Sequence, residues 1–347
     1  MKKQLHSIDR MKVTANYMRC MIHCLVPYMV YNHGMWFFQA EPRLKGIDVL
    51  VFVLHSFVME LFILLSGYLT YSSFTPWKQL LTNQWMRIIK PCLKASLLTI
   101  PLLYLSKSVY TEYLLPPPSI FSINHIFKTA VHLLYTDVKE HGLPIAHYWY
   151  LLHLLIYVLV ANLFKKWPLF VVVAFLIMGL AINKDGIIRN PVYLEIKWPA
   201  MFYYFGFFLL GRWLKQEDYQ HFNFKLNTVR CMIIFLIHLA LSGIYLEALQ
   251  SSKNLPNASL ILPYSLVISA LSGCAWFAQW MQQAKWKPSK FIANINFKIY
   301  LYHLPVAIIF QLFFLEMGAT GLWVPLLVFL LSTGVLLAFF KVRESVK

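Results

Sequence analysis

The sequence predicts an all-α, polytopic membrane protein with about ten transmembrane helices and both termini in the cytoplasm. Three observations carry that expectation. Hydrophobic residues make up 59 % of the chain and charged residues only 13 %, far from the soluble average. The apolar residues arrive in runs of about 17 to 22, the length a helix needs to cross the hydrocarbon layer. Lipid leaves backbone amides unsatisfied unless the segment is a helix or a closed barrel, and barrel strands would show shorter segments of alternating polarity. Finally, the basic residues gather in alternate connections.

The runs lie near residues 13–31, 49–71, 91–106, 148–164, 167–183, 198–214, 229–246, 260–281, 298–315 and 319–340. Lys2, Lys3 and Lys12 precede the first, and Lys78, Arg87 and Lys90 precede the third. The series continues with Lys165 and Lys166, then Arg212, Lys215, Lys225 and Arg230, then Lys285, Lys287 and Lys290, and ends with Lys341, Arg343 and Lys347. The intervening connections are close to neutral: residues 107–146 hold three Lys against three acids. The positive-inside bias therefore puts both termini in the cytoplasm. A net charge of +17 needs no nucleic acid to explain it, because the basic residues punctuate helix ends instead of forming one patch.

The first run follows a few basic residues but leads to no small-residue cleavage site, so it reads as a retained helix and not a signal peptide. Cys20, Cys24, Cys92, Cys231 and Cys274 fall in or beside runs without a CxxC or His/Cys cluster, which supports neither a disulfide framework nor a metal site. The whole chain, 1–347, reads as a single integral-membrane domain. Residues 107–146, with Pro116-Pro117-Pro118, form an external loop long enough to cover a site. Residues 76–90 carry Trp77, Trp85, Arg87 and Lys90 before Pro91 and read as a cytoplasmic interfacial helix. Such a helix can simply lie under headgroups, or Arg87 and Lys90 can hold a phosphate-bearing substrate.

Polar residues inside the runs point to function, because an ionisable group at the centre of a span costs at least a few kcal/mol. His23 lies midway along the first run. Lys12 precedes it by eleven residues, which puts both on one helix face within roughly 20° and about 16 Å apart. A histidine there suits a general base, and a cation at the cytoplasmic end suits an anionic donor. A packing histidine bonded to a carbonyl, with Lys12 snorkelling, is the other reading of these residues. In the second run His55 and Ser66 share a face, while Glu60 sits on another with Gly67. Glu60 is hard to explain as packing; Ser66 and Gly67 more often mark close helix approach. His147, Trp149 and Tyr150 open the fourth run at the external side, as an aromatic belt or a sugar-stacking surface. Tyr300 and His303 lie beside Pro305 near the cytoplasmic end of the ninth, where a histidine can bond carbonyls freed by the proline.

Taken together, these segments resemble the membrane-bound acyltransferase family 3. The family's first span carries Asp, then Arg three residues on, then His eleven further; Asp9, Lys12 and His23 stand at those positions, with Lys in place of Arg. Its acidic-aromatic stretch ending in Ser-Gly-aromatic resembles Glu60 to Tyr68, and its basic run before proline resembles Arg87 to Pro91. Its His-x-Trp-aromatic-Leu motif is similar to His147 to Leu151, and its Ile-Tyr-Leu-x-His motif to Ile299 to His303. The likeness covers nearly the whole chain. Residues 40–42, 55–57 and 66–74 look closest to the branch that contains glucan biosynthesis protein C, a succinyltransferase of periplasmic glucans.

The resemblance implies transfer of an acyl group, acetyl or succinyl, from cytoplasmic acyl-CoA to a hydroxyl of an extracytoplasmic glycan or glycolipid, in the bacterial inner membrane. His23 and Glu60 would then be catalytic. Lys12, Arg87, Lys90, Ser66, Tyr300 and His303 would bind the donor, and His147, Trp149 and His55 the acceptor. Lys at the usual Arg position grips an anion as a point charge, not bidentately, and Arg10 is positioned to share its task. Acyl-CoA is a substrate, and no tightly held cofactor or metal is implied; partners are membrane lipids and the acceptor, with the oligomeric state left open. The competing class is a proton-coupled transporter or flippase of an acylated or anionic sugar, since intramembrane His and Glu equally suit a proton path. Against it stands the lack of internal repeats and paired broken helices.

Overall fold

The computed structural model describes residues 2–30, 40–41, 43–71, 75–98, 149–163, 166–182, 198–217, 227–250 and 258–345. Residues 107–146, expected as an external loop, and His147 lie outside these residues, as does the side chain of Trp149. Among the described residues every regular element is helical. In chain order they are α1 (Lys2–Leu25), a 3-10 turn (Val26–Tyr28), α2 (Lys45–Thr70), α3 (Trp77–Gln84), a π-helical turn (Trp85–Ile89), α4 (Trp149–Ala161) and α5 (Leu169–Ile182). There follow α6 (Trp198–Gln216), α7 (Thr228–Gln250), α8 (Ala258–Gln283), α9 (Lys290–Glu316) and α10 (Trp323–Ser345).

Among the described residues, five stretches are long and apolar enough to cross a membrane: Lys45–Thr70, Thr228–Tyr245, Ile261–Gln283, Lys290–Glu316 and Trp323–Ser345. Two shorter apolar helices, Tyr150–Ala161 and Leu169–Leu180, accompany them. The first expected span is not among the five. α1 begins at Lys2, and its buried positions include Ser7, Arg10, Asn16, Arg19 and His23. It is a polar helix enclosed by protein, which is where such side chains find partners. The ninth expected span also starts earlier than its apolar run. Ser289 caps α9 by accepting a hydrogen bond from the Ile292 amide, an N-cap role that suits serine. His303 is therefore thirteen residues into a helix of 27, at its middle and not near its end. The segment expected to stop at Pro91 stays helical to residue 98. A π turn, in which the Lys90 amide reaches the Trp85 carbonyl, precedes the proline, whose ring removes the next amide donor.

The chain divides into two compact units that interleave in sequence. The first comprises residues 1–15, 52–76 and 153–288. Its helices approach closely through glycine. A Cβ at Gly67 would collide with the Phe208 backbone, and one at Gly211 with the Leu64 carbonyl, so α2 and α6 lie nearly backbone to backbone. Phe235 of α7 stacks on Trp276 of α8 at 5.9 Å. Arg10 donates from Nε to the Met281 carbonyl at 2.7 Å and from Nη1 to the Trp286 carbonyl at 2.9 Å, occupying carbonyls that the end of α8 leaves without amide partners.

The second unit comprises residues 16–51, 77–152 and 289–347. Cys20 of α1, Ile295 and Ile299 of α9, and Leu336 and Phe340 of α10 form its apolar cluster. Asn16 donates to both the backbone and the side-chain oxygen of Asn296 at 2.9 Å. These contacts fix α1 against α9 and so set the register of the histidines that follow.

Candidate functional site

About two turns beyond Asn16, α1 brings His23 to α9. His23 is 3 % exposed and His303 1 %, and their rings stack with centroids 4.9 Å apart and planes 9° from parallel. His23 Nδ1 lies 2.7 Å from His303 Nε2. His303 Nδ1 in turn lies 2.7 Å from the Tyr300 carbonyl oxygen.

That carbonyl settles the tautomers. It can only accept, so His303 Nδ1 carries the proton. In the neutral ring His303 Nε2 is then the acceptor, and His23 Nδ1 donates to it. Neutral His23 consequently keeps its lone pair on Nε2, the nitrogen able to take a proton. If Nε2 takes one, the positive charge spreads to Nδ1–H and strengthens its bond to His303. The arrangement has the logic of a base oriented by a third group, with a neutral histidine in place of the usual carboxylate.

The surroundings hold the pair in position. Gln311, two turns beyond His303 on α9 and 1 % exposed, donates from Nε2 to the His23 carbonyl at 3.1 Å and the Cys24 carbonyl at 3.3 Å. These are end carbonyls of α1, which leaves the helix at Pro27 and has no amides to offer them. The Tyr300 ring packs on His303 at 5.7 Å and on Tyr150 of α4 at 5.9 Å. The aromatic motif opening α4 and the Tyr-Leu-x-His motif of α9 thus meet beside the histidines.

Arg19 completes the group. It sits one helical turn before His23 on the same face, is 6 % exposed and interacts electrostatically with His303. Its Nη1 is enclosed without a hydrogen-bond partner.

The remaining expected residues are distributed as follows. Glu60 belongs to the first unit and is 3 % exposed; Tyr203 donates to its Oε1 at 3.2 Å. Ser66 donates to the Phe62 carbonyl of its own helix at 2.8 Å, and His55 is half-buried in the same unit. Lys12, in that unit too, pairs with Asp9 at 3.7 Å, and its side chain is 40 % exposed, open enough to meet a soluble anion. Arg10, placed to share its task, is instead engaged at the end of α8. Arg87 and Lys90 are exposed in the second unit. Of the expected set, then, His23, His303 and Tyr300 are drawn into one cluster within the second unit.

Arg19, Gln311 and Tyr203 carried no expectation. The rule that singled out Glu60, a costly polar group within a span, applies equally to Arg19. Gln311 could have been found as a polar residue two turns from His303, whereas Tyr203 is lost among the aromatic residues of α6.

A family described as an acyltransferase domain matches residues 5–342. No curated protein and no solved structure matches the chain significantly. The match spans both units and includes every residue of the histidine cluster, and it points to acyltransferase activity in a multi-pass membrane protein. The chain belongs to the acyltransferase-3 family.

Proposed function

We propose that the protein is an O-acyltransferase of the bacterial inner membrane that moves an acetyl or succinyl group from cytoplasmic acyl-CoA to a hydroxyl of an extracytoplasmic glycan or glycolipid. The likeness of residues 40–42, 55–57 and 66–74 to the branch that contains glucan biosynthesis protein C supports the succinyl alternative. The observation that carries the reading is the Nδ1 to Nε2 contact of His23 and His303, with the Tyr300 carbonyl holding its tautomer.

In this mechanism His23 Nε2 removes the proton of the acceptor hydroxyl as its oxygen attacks the thioester carbonyl carbon. The new C–O bond gives a tetrahedral intermediate, and the imidazolium is stabilised by His303. Collapse breaks the C–S bond, and the proton passes from His23 to the leaving thiolate, so the histidine pair is regenerated. Lys12, Arg87 and Lys90 hold coenzyme A phosphates, with Ser66 and Tyr300 along the donor path. Glu60, oriented by Tyr203, tunes the basic groups, and His55, His147 and Trp149 receive the acceptor.

Release of free coenzyme A by purified protein in nanodiscs, with acetyl-CoA or succinyl-CoA and a cell-envelope glycan mixture, tests the reading. Acceptor-dependent release in the wild type, lost in His23→Ala, is the expected result. No release with either donor from folded protein would overturn it and favour transport.

A further inference from the structure

Within the reading of the protein as an acyltransferase, we infer that Arg19 is a donor-specificity residue: its guanidinium receives a carboxylate at the far end of the acyl group, making the preferred donor the CoA thioester of a short dicarboxylic acid. Arg19 is buried on α1 at 6 % exposure. It forms no ion pair among the described residues, and its Nη1 is enclosed without a hydrogen-bond partner. An arginine stays charged under all ordinary conditions, and a buried charge left uncompensated is costly. Such a group persists where a ligand supplies the missing anion.

Position selects which anion. The Cα of Arg19 is about 6 Å along the helix axis from that of His23, too near the reacting centre for the phosphates of coenzyme A, which lie at the other end of the pantetheine arm. Two ligand atoms come within that distance of a reacting thioester: its own carbonyl oxygen, and whatever the acyl chain carries at its end. In a four-carbon dicarboxylic acyl group the terminal carboxylate carbon lies about 4 Å from the thioester carbon and its oxygens about 5 Å, given C–C bonds of about 1.5 Å. A planar fork of N–H donors matches a carboxylate bidentately, and an acetyl group offers nothing for it to hold. Arg19 thereby supplies the additional cation that a succinyl donor needs and that the motif residues do not provide.

The test compares wild type, Arg19→Gln and Arg19→Lys in nanodiscs by two readouts. The first is protection from thermal unfolding by succinyl-CoA, acetyl-CoA and free coenzyme A, which requires no turnover. The second is kcat/KM for coenzyme A release with each donor. Stronger protection of wild type by succinyl-CoA than by acetyl-CoA is expected. In Arg19→Gln the succinyl-to-acetyl ratio of kcat/KM should fall about 10- to 100-fold, with partial recovery in Arg19→Lys. Without any donor, Arg19→Gln should melt no lower than wild type, because it removes an unpaired buried charge.

Equal loss with both donors would assign Arg19 to the thioester oxygen and overturn the inference. A variant that fails to fold would make Arg19 structural and overturn it likewise. Preferential protection by succinyl-CoA without coenzyme A release would leave the carboxylate contact standing while removing the acyltransferase reading, so the two failures are distinguishable.

Discussion

At the scale of single residues, the proposed mechanism turns on which nitrogen of His23 is basic. The Tyr300 carbonyl, through His303, assigns the proton to Nδ1 and the lone pair to Nε2. Removing His303 should leave His23 able to adopt either tautomer. His303→Ala is expected to lower kcat by about 10- to 100-fold, the range seen when an orienting partner is lost. His303→Gln should retain more activity, because its amide oxygen can accept from Nδ1–H; steady-state kinetics of the two variants checks this. Gln311 acts on position and not on chemistry. Replacing it by Leu keeps the volume but leaves two end carbonyls of α1 without their donor, which should cost about 1–3 kcal/mol and appear as a lower melting temperature.

His23 and His303 were legible as polar residues within apolar runs, but their meeting was not. Their contact depends on α9 starting at Lys290, capped by Ser289 and eight residues before the run that hydropathy marks, and that shift moves His303 from the helix end to its middle. Arg19 was legible by the same rule as Glu60 and still drew no expectation.

At the scale of elements, glycine governs how closely helices approach. The Ser66-Gly67 step was read as packing on one side and donor binding on the other. Gly67 abuts the Phe208 backbone, and Ser66 bonds its own helix, which places close packing on firm ground at Gly67. A Cβ there meets main chain that cannot swing aside. Gly67→Ala and Gly211→Ala are each expected to destabilise by about 1–3 kcal/mol, as overpacked cores do, with the loss read from thermal unfolding in detergent. Gly243→Ala, where nothing lies within contact distance, should be tolerated and serves as the control. Hydropathy found the helices α2, α7, α8, α9 and α10 well, because each is apolar for the full width of a bilayer. The first expected span, 13–31, falls largely in α1, which is not among the five apolar stretches. α1 is polar along its length, and its buried side chains are matched by specific partners such as Asn296 and Met281, which no scale of average hydrophobicity can register.

At the scale of the whole molecule, family membership over residues 5–342 joins two interleaved units into one functional chain. Under the proposed function, the alternation of basic and neutral connections predicts a fixed orientation with the donor taken from the cytoplasmic side. Alkaline phosphatase fused after Lys347 should be inactive, and the same enzyme inserted within residues 107–146 should be active in intact bacteria. The reverse pattern would invert the proposed direction of transfer. The acyl group and its acceptor were not legible in the motifs, because those motifs describe the shared machinery; the signal inferred to separate one donor from another, Arg19, is a buried side chain outside them.

The most direct measurement is a double-mutant cycle on His23 and His303, with kcat/KM for acceptor-dependent coenzyme A release as the readout. If the two rings work as one base, His23→Ala alone should cost about 10²- to 10⁴-fold, and adding His303→Ala to it should cost nothing further. Losses that multiply, or a His303→Ala variant as active as wild type, would show that the histidines act independently and that their contact is packing alone.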